Sequence, residues 1–196
     1  MKTILRIANF DIAPTLWISS DMIKKEKLSA FTSSNIKWRC VKIHPILDKN
    51  YWLSDNNIDI AVNIAKQFEC PILIHTGETE NCYPEQYENI IRYNKDIHFI
   101  LAHGRPIKQS KKILMENSNA LVDTAFMPLK DILLLCSEGL SHKTLWGSDY
   151  PVDKYYRKLF YNFYYRRNLL MLKRSLSTTE YNNITFINFH KTFSHE

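Results

Sequence analysis

Short apolar runs alternate with stretches whose apolar residues recur at helical spacing, and this alternation persists along most of the chain. Ile4–Ile12 reads as a strand, followed by Pro14 and a helix-prone stretch around Met22–Phe31. Arg39–Ile43 is a second strand, stopped by His44 and Pro45. Ile58, Ala61, Val62, Ala65 and Phe68 mark the clearest helix, with Ser54 and Asp55 as candidate N-caps. Pro71–Ile74 has the continuous apolar character of a buried parallel strand. A helix opened by Pro84 follows, then a strand at Ile97–Ala102, a helix at Lys111–Asn117 and a strand at Ala120–Val122. Leu129, Ile132, Leu133 and Cys136 share one helical face, and Gly139 stops that helix. Thr144–Trp146 is the last strand; beyond Pro151 lie a long aromatic helix and a terminal one opened by the capping-box pattern Ser177–Glu180.

Strands alternating with helices imply a parallel sheet with covered faces. The polar residues closing successive strands are Asp11, His44, His75, His103, Asp123 and Asp149, at spacings of 33, 31, 28, 20 and 26 residues. A (β/α)₈ barrel allots about 31 residues to each unit and carries its chemistry at the C-terminal strand ends. An open doubly wound sheet fits the alternation almost as well, but its phosphate-binding version has a glycine-rich first turn that this chain lacks.

Glycine sharpens the picture because it is scarce. Three of the four glycines lie within two residues of a His or Asp closing an apolar run, in ILIHTG, FILAHG and TLWGSDYP. Such positions mark sharp turns or the close approach of a ligand. Two imidazoles and a carboxylate, His75, His103 and Asp149, suit a divalent cation such as zinc, which lowers the pKa of bound water toward ~7. A single histidine in an apolar run is more often a hydrogen-bonded core residue; the repeated coincidence with glycine favours chemistry.

The ordered series VKIHP, PILIHTG, FILAHG, ALVDTA and LWGSDYP, with Asn188 in the closing ITFINFHKTF, resembles the amidohydrolase-related branch of the amidohydrolase superfamily. The resemblance spans about Ile4 to Phe193 and implies an incomplete (β/α)₈ TIM barrel of about six parallel strands, strands three to eight of the family barrel. It implies a metal-dependent hydrolase acting on a small molecule, with a related decarboxylase and a catalytically silent binding or partner subunit as alternatives. His75, His103 and Asp149 match metal-ligand positions of the family, and His103 and Asp149 its catalytic ones. Lys42 falls near the bridging position of the fourth strand, and alternation puts Lys42 and His44 on one face. With Arg105 they form the candidate substrate-binding set. Asp123 matches a seventh-strand aspartate that supports the site rather than binding metal.

The family's first-strand His-x-His pair has no counterpart, since no two histidines are separated by one residue. The whole 1–196 chain therefore reads as a single domain shortened at its N-terminus, with reduced metal affinity. Its open strand edges would suit a homo-oligomer or a complementing chain. Glu78 and Glu80 follow His75 and are substitute ligands or plain loop carboxylates. His98 falls on the opposite strand face from His103, while His142, His190 and His195 read as structural or solvated.

Composition adds little to this except compartment and charge. Four scattered cysteines without a CxxC pair, and no secretory signal or long apolar run, point to a cytoplasmic protein. The net charge of +6 is concentrated in Lys154–Arg174, where seven Lys or Arg stand without an acidic residue. Its interleaved aromatics read as an amphipathic helix with snorkelling cations, so neither nucleic acid nor membrane is expected as a partner.

Overall fold

A computed structural model describes residues 12–149 and 161–193. Six parallel strands form one sheet: β1 (Thr15–Trp17), β2 (Cys40–Ile43), β3 (Ile72–His75), β4 (Phe99–Ala102), β5 (Ala120–Asp123) and β6 (Thr144–Leu145). Their spatial order is their order in the chain. Doubly wound sheets reverse direction part-way, creating a switch point, and none occurs among these strands. With right-handed crossovers, unbroken order sends every connecting helix to the same face.

The packing follows that rule. Val41 and Ile43, Ile72 and Ile74, Phe99 and Leu101, and Ala120 and Val122 point outward into the main core. They meet Ile58, Ala61, Val62 and Ala65 of α3 (Asp55–Gln67), Ile113 and Leu114 of α5 (Ile107–Glu116), and Ile132 and Leu135 of α6 (Leu129–Ser137). α3 forms where its apolar positions repeat at helical spacing. Ser54 holds the N-cap position in an extended backbone, but its side chain makes no capping hydrogen bond. α6 stops at Gly139, whose φ of +77° is the left-handed conformation expected there.

The opposite, inner face has its own small core of Leu73, Ile100, Leu121 and Leu145. Phe189 and Phe193 of the terminal helix cover it. The chain reaches that face through α7 (Tyr161–Ser175), α8 (Thr178–Asn182), a π turn at Asn183–Ile187 and α9 (Asn188–Phe193). Both halves of the expected capping box open α8: Glu180 N–H donates to Ser177 Oγ and Ser177 N–H to Glu180 Oε2. Asn188 is buried and donates to the carbonyls of Ser141 (2.8 Å) and Thr144 (2.7 Å), fixing α9 under β6.

Five strands lie where the hydropathy pattern places them. The expected strand at Ile4–Ile12 falls almost wholly outside the described residues, as do Asp11, Lys154–Phe160 and His195; β1, which was not expected, follows Pro14. Its signal is alternation: Leu16 and Ile18 are buried while Thr15 and Trp17 are exposed. The helix-prone stretch around Met22–Phe31 divides into α1 (Ser20–Lys24) and α2 (Leu28–Thr32), parted by Glu26 at a φ of +52°. The helix opened by Pro84 begins as a 3-10 turn and becomes α4 (Glu88–Tyr93). Within α7, Arg166 and Arg167 are exposed and Leu172 is buried, but Leu170 is also exposed and Asn168 buried, and the interleaved aromatics lie outside the described side chains. No helix among the described residues is long and apolar enough to cross a membrane.

Removing the terminal aromatics exposes the inner core. Phe189→Ala is expected to cost about 2 kcal/mol, below the ~3–5 kcal/mol of a fully buried phenylalanine because its ring is only half-buried. Urea denaturation reads the loss, and an unchanged midpoint would show that the inner face does not need this helix.

Candidate functional site

Parallel strands in unbroken order bring their C-terminal ends to one rim, and the expected residues gather there. Lys42, His44, His75, His103, Arg105 and Asp149 all line one cavity of about 590 Å³, with Trp17, Glu78 and Phe126. Lys42 and His44 share the inner face of β2, as alternation requires, and the Lys42 ammonium lies 5.3 Å from the Trp17 ring centre. The register continues the row: Trp17 pairs with Lys42, Lys42 with Leu73 and His75 with Ala102. His98 is exposed and borders two other cavities at the opposite end of the strands, where His142 also lies.

His103 reaches the cavity by another route. Alternation after Ala102 points it outward, but its φ of +68° turns the backbone and swings the ring back. Glu78 (+59°), Phe126 (+58°) and Asp149 (+53°) are left-handed too, so four of the eight such non-glycine residues among those described line this one cavity. Conformations that side chains resist cost roughly 1–3 kcal/mol each and collect at functional sites.

The glycines supply clearance. A Cβ on Gly147 would stand 1.8 Å from Asp123 Oδ2, and one on Gly77 2.9 Å from Arg105 Nε. Threonines stitch the rim between them. Thr76 Oγ1 donates to the Ala102 carbonyl (2.6 Å) and accepts from Arg105 N–H, and Thr124 Oγ1 accepts from Gly147 N–H.

Five rings follow one another across the cavity. Trp17 stacks on His44 (5.9 Å between ring centres) and His44 on His75 (3.8 Å, 14° between planes). His75 meets His103 edge-on at 4.9 Å, and His103 lies 5.7 Å from Phe126. His103 Nδ1 lies 3.1 Å from the Ala125 carbonyl, which only accepts, so Nδ1 carries the proton and Nε2 keeps its lone pair. His75 Nε2 lies 2.6 Å from Glu78 Oε2, and the other oxygen of Glu78 accepts from Arg105 Nη2.

Burial pulls the pKa of His103 down to about 4 and, with the neighbouring His75 and Lys42, that of His44 to about 4. His75 is lowered as well, burial outweighing the bond to Glu78. Burial would raise the Glu78 carboxyl, but the hydrogen bond from His75 and the charge of Arg105 hold it below its ordinary value. It is therefore ionised, and His75 donates to it. Burial, with the charge of Asp149 adding to it, pushes Asp123 up to about 6 despite a 2.8 Å hydrogen bond from Ala125 N–H.

No family model matches the chain, and no curated protein does. What it holds is judged from these groups alone. Imidazole and carboxylate are the right donors for zinc, and the Nδ1–H bond of His103 leaves Nε2 prepared as a ligand. Yet among the described residues no three His, Cys, Asp or Glu side chains gather as a metal-holding group, and His75 Nε2 is engaged by Glu78. The arrangement as it stands does not fit a metal cage.

Hydrophobic patterning placed Lys42, His44, His75 and Asp149 at the rim. It carried no signal for Phe126, and the missed β1 hid Trp17. Glu78, read as either a ligand or a plain loop carboxylate, is the charged partner of His75.

Protonation links the cavity to stability. An unfolded histidine titrates near pH 6.5, above the folded values of His44 and His103, so the unfolded chain takes up protons first as pH falls. Each imidazole thus withdraws stability between about pH 6.5 and 4, at up to about 1.4 kcal/mol per pH unit. Asp123 acts with the opposite sign between about pH 4 and 6, leaving a net loss on acidification. The urea midpoint is expected to fall from pH 7 to pH 5, and less steeply in His44→Gln; a flat profile would contradict neutral buried imidazoles.

Proposed function

We infer that the cavity is the active site of a small-molecule hydrolase of the amidohydrolase-related class, on a sheet equivalent to strands three to eight of a (β/α)₈ barrel. The observation that carries this is the concentration of left-handed backbone at the rim, which aims His103 and Asp149 into the cavity that also holds Lys42, His44, His75 and Arg105. A cytoplasmic setting goes with it, supported by four free, buried cysteines.

The chain's own groups suffice for a hydrolytic step. His103 Nε2 takes a proton from water while Asp149 orients that water. The oxygen of the water bonds to the substrate carbonyl carbon, and Lys42 or Arg105 meets the charge developing on the carbonyl oxygen. The C–N or C–O bond then breaks as the His103 imidazolium returns its proton to the leaving group. A pKa of about 4 keeps His103 unprotonated throughout the neutral range and makes it a weaker base than an ordinary imidazole. It also makes the imidazolium a strong acid toward a poor leaving group.

A divalent cation, zinc before others, is a separable part of the proposal, because binding at His75, His103 and Asp149 requires His75 to release Glu78. The engagement of His75 by Glu78 favours a second reading, a binding subunit without turnover.

Hydrolysis of a panel of nitrophenyl esters and nitroanilides, with and without added zinc, separates the two. His103→Ala is expected to lower kcat/KM by at least about 100-fold, the usual contribution of a general base. Wild-type activity retained in that variant would sink the hydrolase reading. Calorimetric titration with zinc reads the metal separately: heat from a single site that His75→Ala removes would add the cation to the proposal, and no heat in the wild type would remove it.

A further inference from the structure

Glu78 holds the most polar corner of the cavity in an unusual way. Its two carboxylate oxygens serve two different donors, Oε1 accepting from Arg105 and Oε2 from His75 at 2.6 Å. A planar, two-oxygen acceptor spanning a guanidinium and an imidazole N–H is also how a bound carboxylate would sit. Both donors have anchors other than Glu78. Arg105 is seated against Gly77, where no Cβ fits, and its backbone N–H is tied to Thr76. His75 is buried between His44 and His103. Glu78 sits on the loop beyond β3 with its side chain 41% exposed, close to the 38% of Arg105, and its carboxylate is bonded only to these two donors.

One donor remains unanswered. Arg105 Nε is buried and has no hydrogen-bond partner, a costly state that one internal carboxylate does not cure. Charge points the same way. With Glu78 in place, its carboxylate pairs with the Arg105 guanidinium; with Glu78 swung to solvent, Arg105 keeps no other ion pair among the described residues.

We propose that Glu78 is an internal stand-in for a ligand carboxylate, and that the cavity binds small carboxylates at Arg105 and His75 once Glu78 swings out. The exchange replaces one anion by another, so the net charge of the site is conserved. Trp17 and Phe126 offer apolar surface for the rest of the ligand. The internal carboxylate sets a threshold: only a ligand presenting both oxygens and enough apolar contact displaces it. This specifies the substrate class of the cavity read above as a hydrolase site, but it concerns binding alone.

The test is calorimetric titration of the full chain with benzoate, with its neutral analogue benzamide as control. Glu78→Gln keeps the shape but weakens the internal competitor and is expected to bind benzoate at least tenfold more tightly than wild type. Glu78→Ala is expected to show the same direction, which guards against a local folding defect in either variant. Arg105→Met should abolish benzoate binding, and benzamide should gain nothing from Glu78→Gln. Equal or weaker benzoate binding in both Glu78 variants would overturn the proposal, as would benzamide binding as tightly as benzoate. Because no turnover is measured, a protein that shows this pattern yet hydrolyses nothing keeps the carboxylate site and refutes the hydrolase reading.

Discussion

Right-handed crossovers between parallel strands, taken in unbroken order, leave little freedom for the rest of the molecule. Every connecting helix goes to one face, every strand ends on one rim, and the inner face is left to be covered from elsewhere in the chain. Three consequences meet in this chain. Outward strand residues and helices share a large apolar core. The C-terminal ends of the strands collect the titratable side chains. The inner face, which a closed barrel would fill with layers from facing strands, is covered by Phe189 and Phe193.

Geometry at the rim is then set by backbone conformation more than by side-chain choice. A strand delivers alternate residues to alternate faces, so only every second position reaches the cavity unaided. His44 and His75 arrive that way. His103 does not, and its left-handed φ is what brings a second buried imidazole against His75. Gly147 and Gly77 complete the arrangement by absence of a side chain, admitting the Asp123 carboxylate and the Arg105 guanidinium to the backbone. A methyl group at either place would displace a charged group, so the scarcity of glycine elsewhere makes these positions informative.

That is also why the sequence was legible in some places and opaque in others. Apolar runs long enough to be buried on both faces declared β2 to β6, and the residues closing them, His44, His75 and Asp149, followed directly. β1 was hidden because its three residues carry too little pattern. The left-handed turn at His103 had only its neighbour Gly104 as a signal. The bridge from Glu78 to Arg105 joins residues 27 apart, on loops after different strands, and no local pattern encodes such a meeting.

The inner face carries two rows with different duties, and their order along the strands explains the electrostatics. Leu73, Ile100 and Leu121 form an apolar row in register, and one residue pair nearer the rim His75 stands opposite Ala102. The imidazoles thus rest on a hydrocarbon floor, flanked by Trp17 and Phe126. Charging them there would forfeit hydration with little in exchange. Burial rather than any neighbouring charge is the main reason that His44, His75 and His103 stay neutral. Those neutral rings carry no charge to hold an anion, which leaves Arg105 and Lys42 to supply the positive charge, and Glu78 pairs with Arg105. The same floor that stabilises an open sheet therefore sets the protonation of the groups above it.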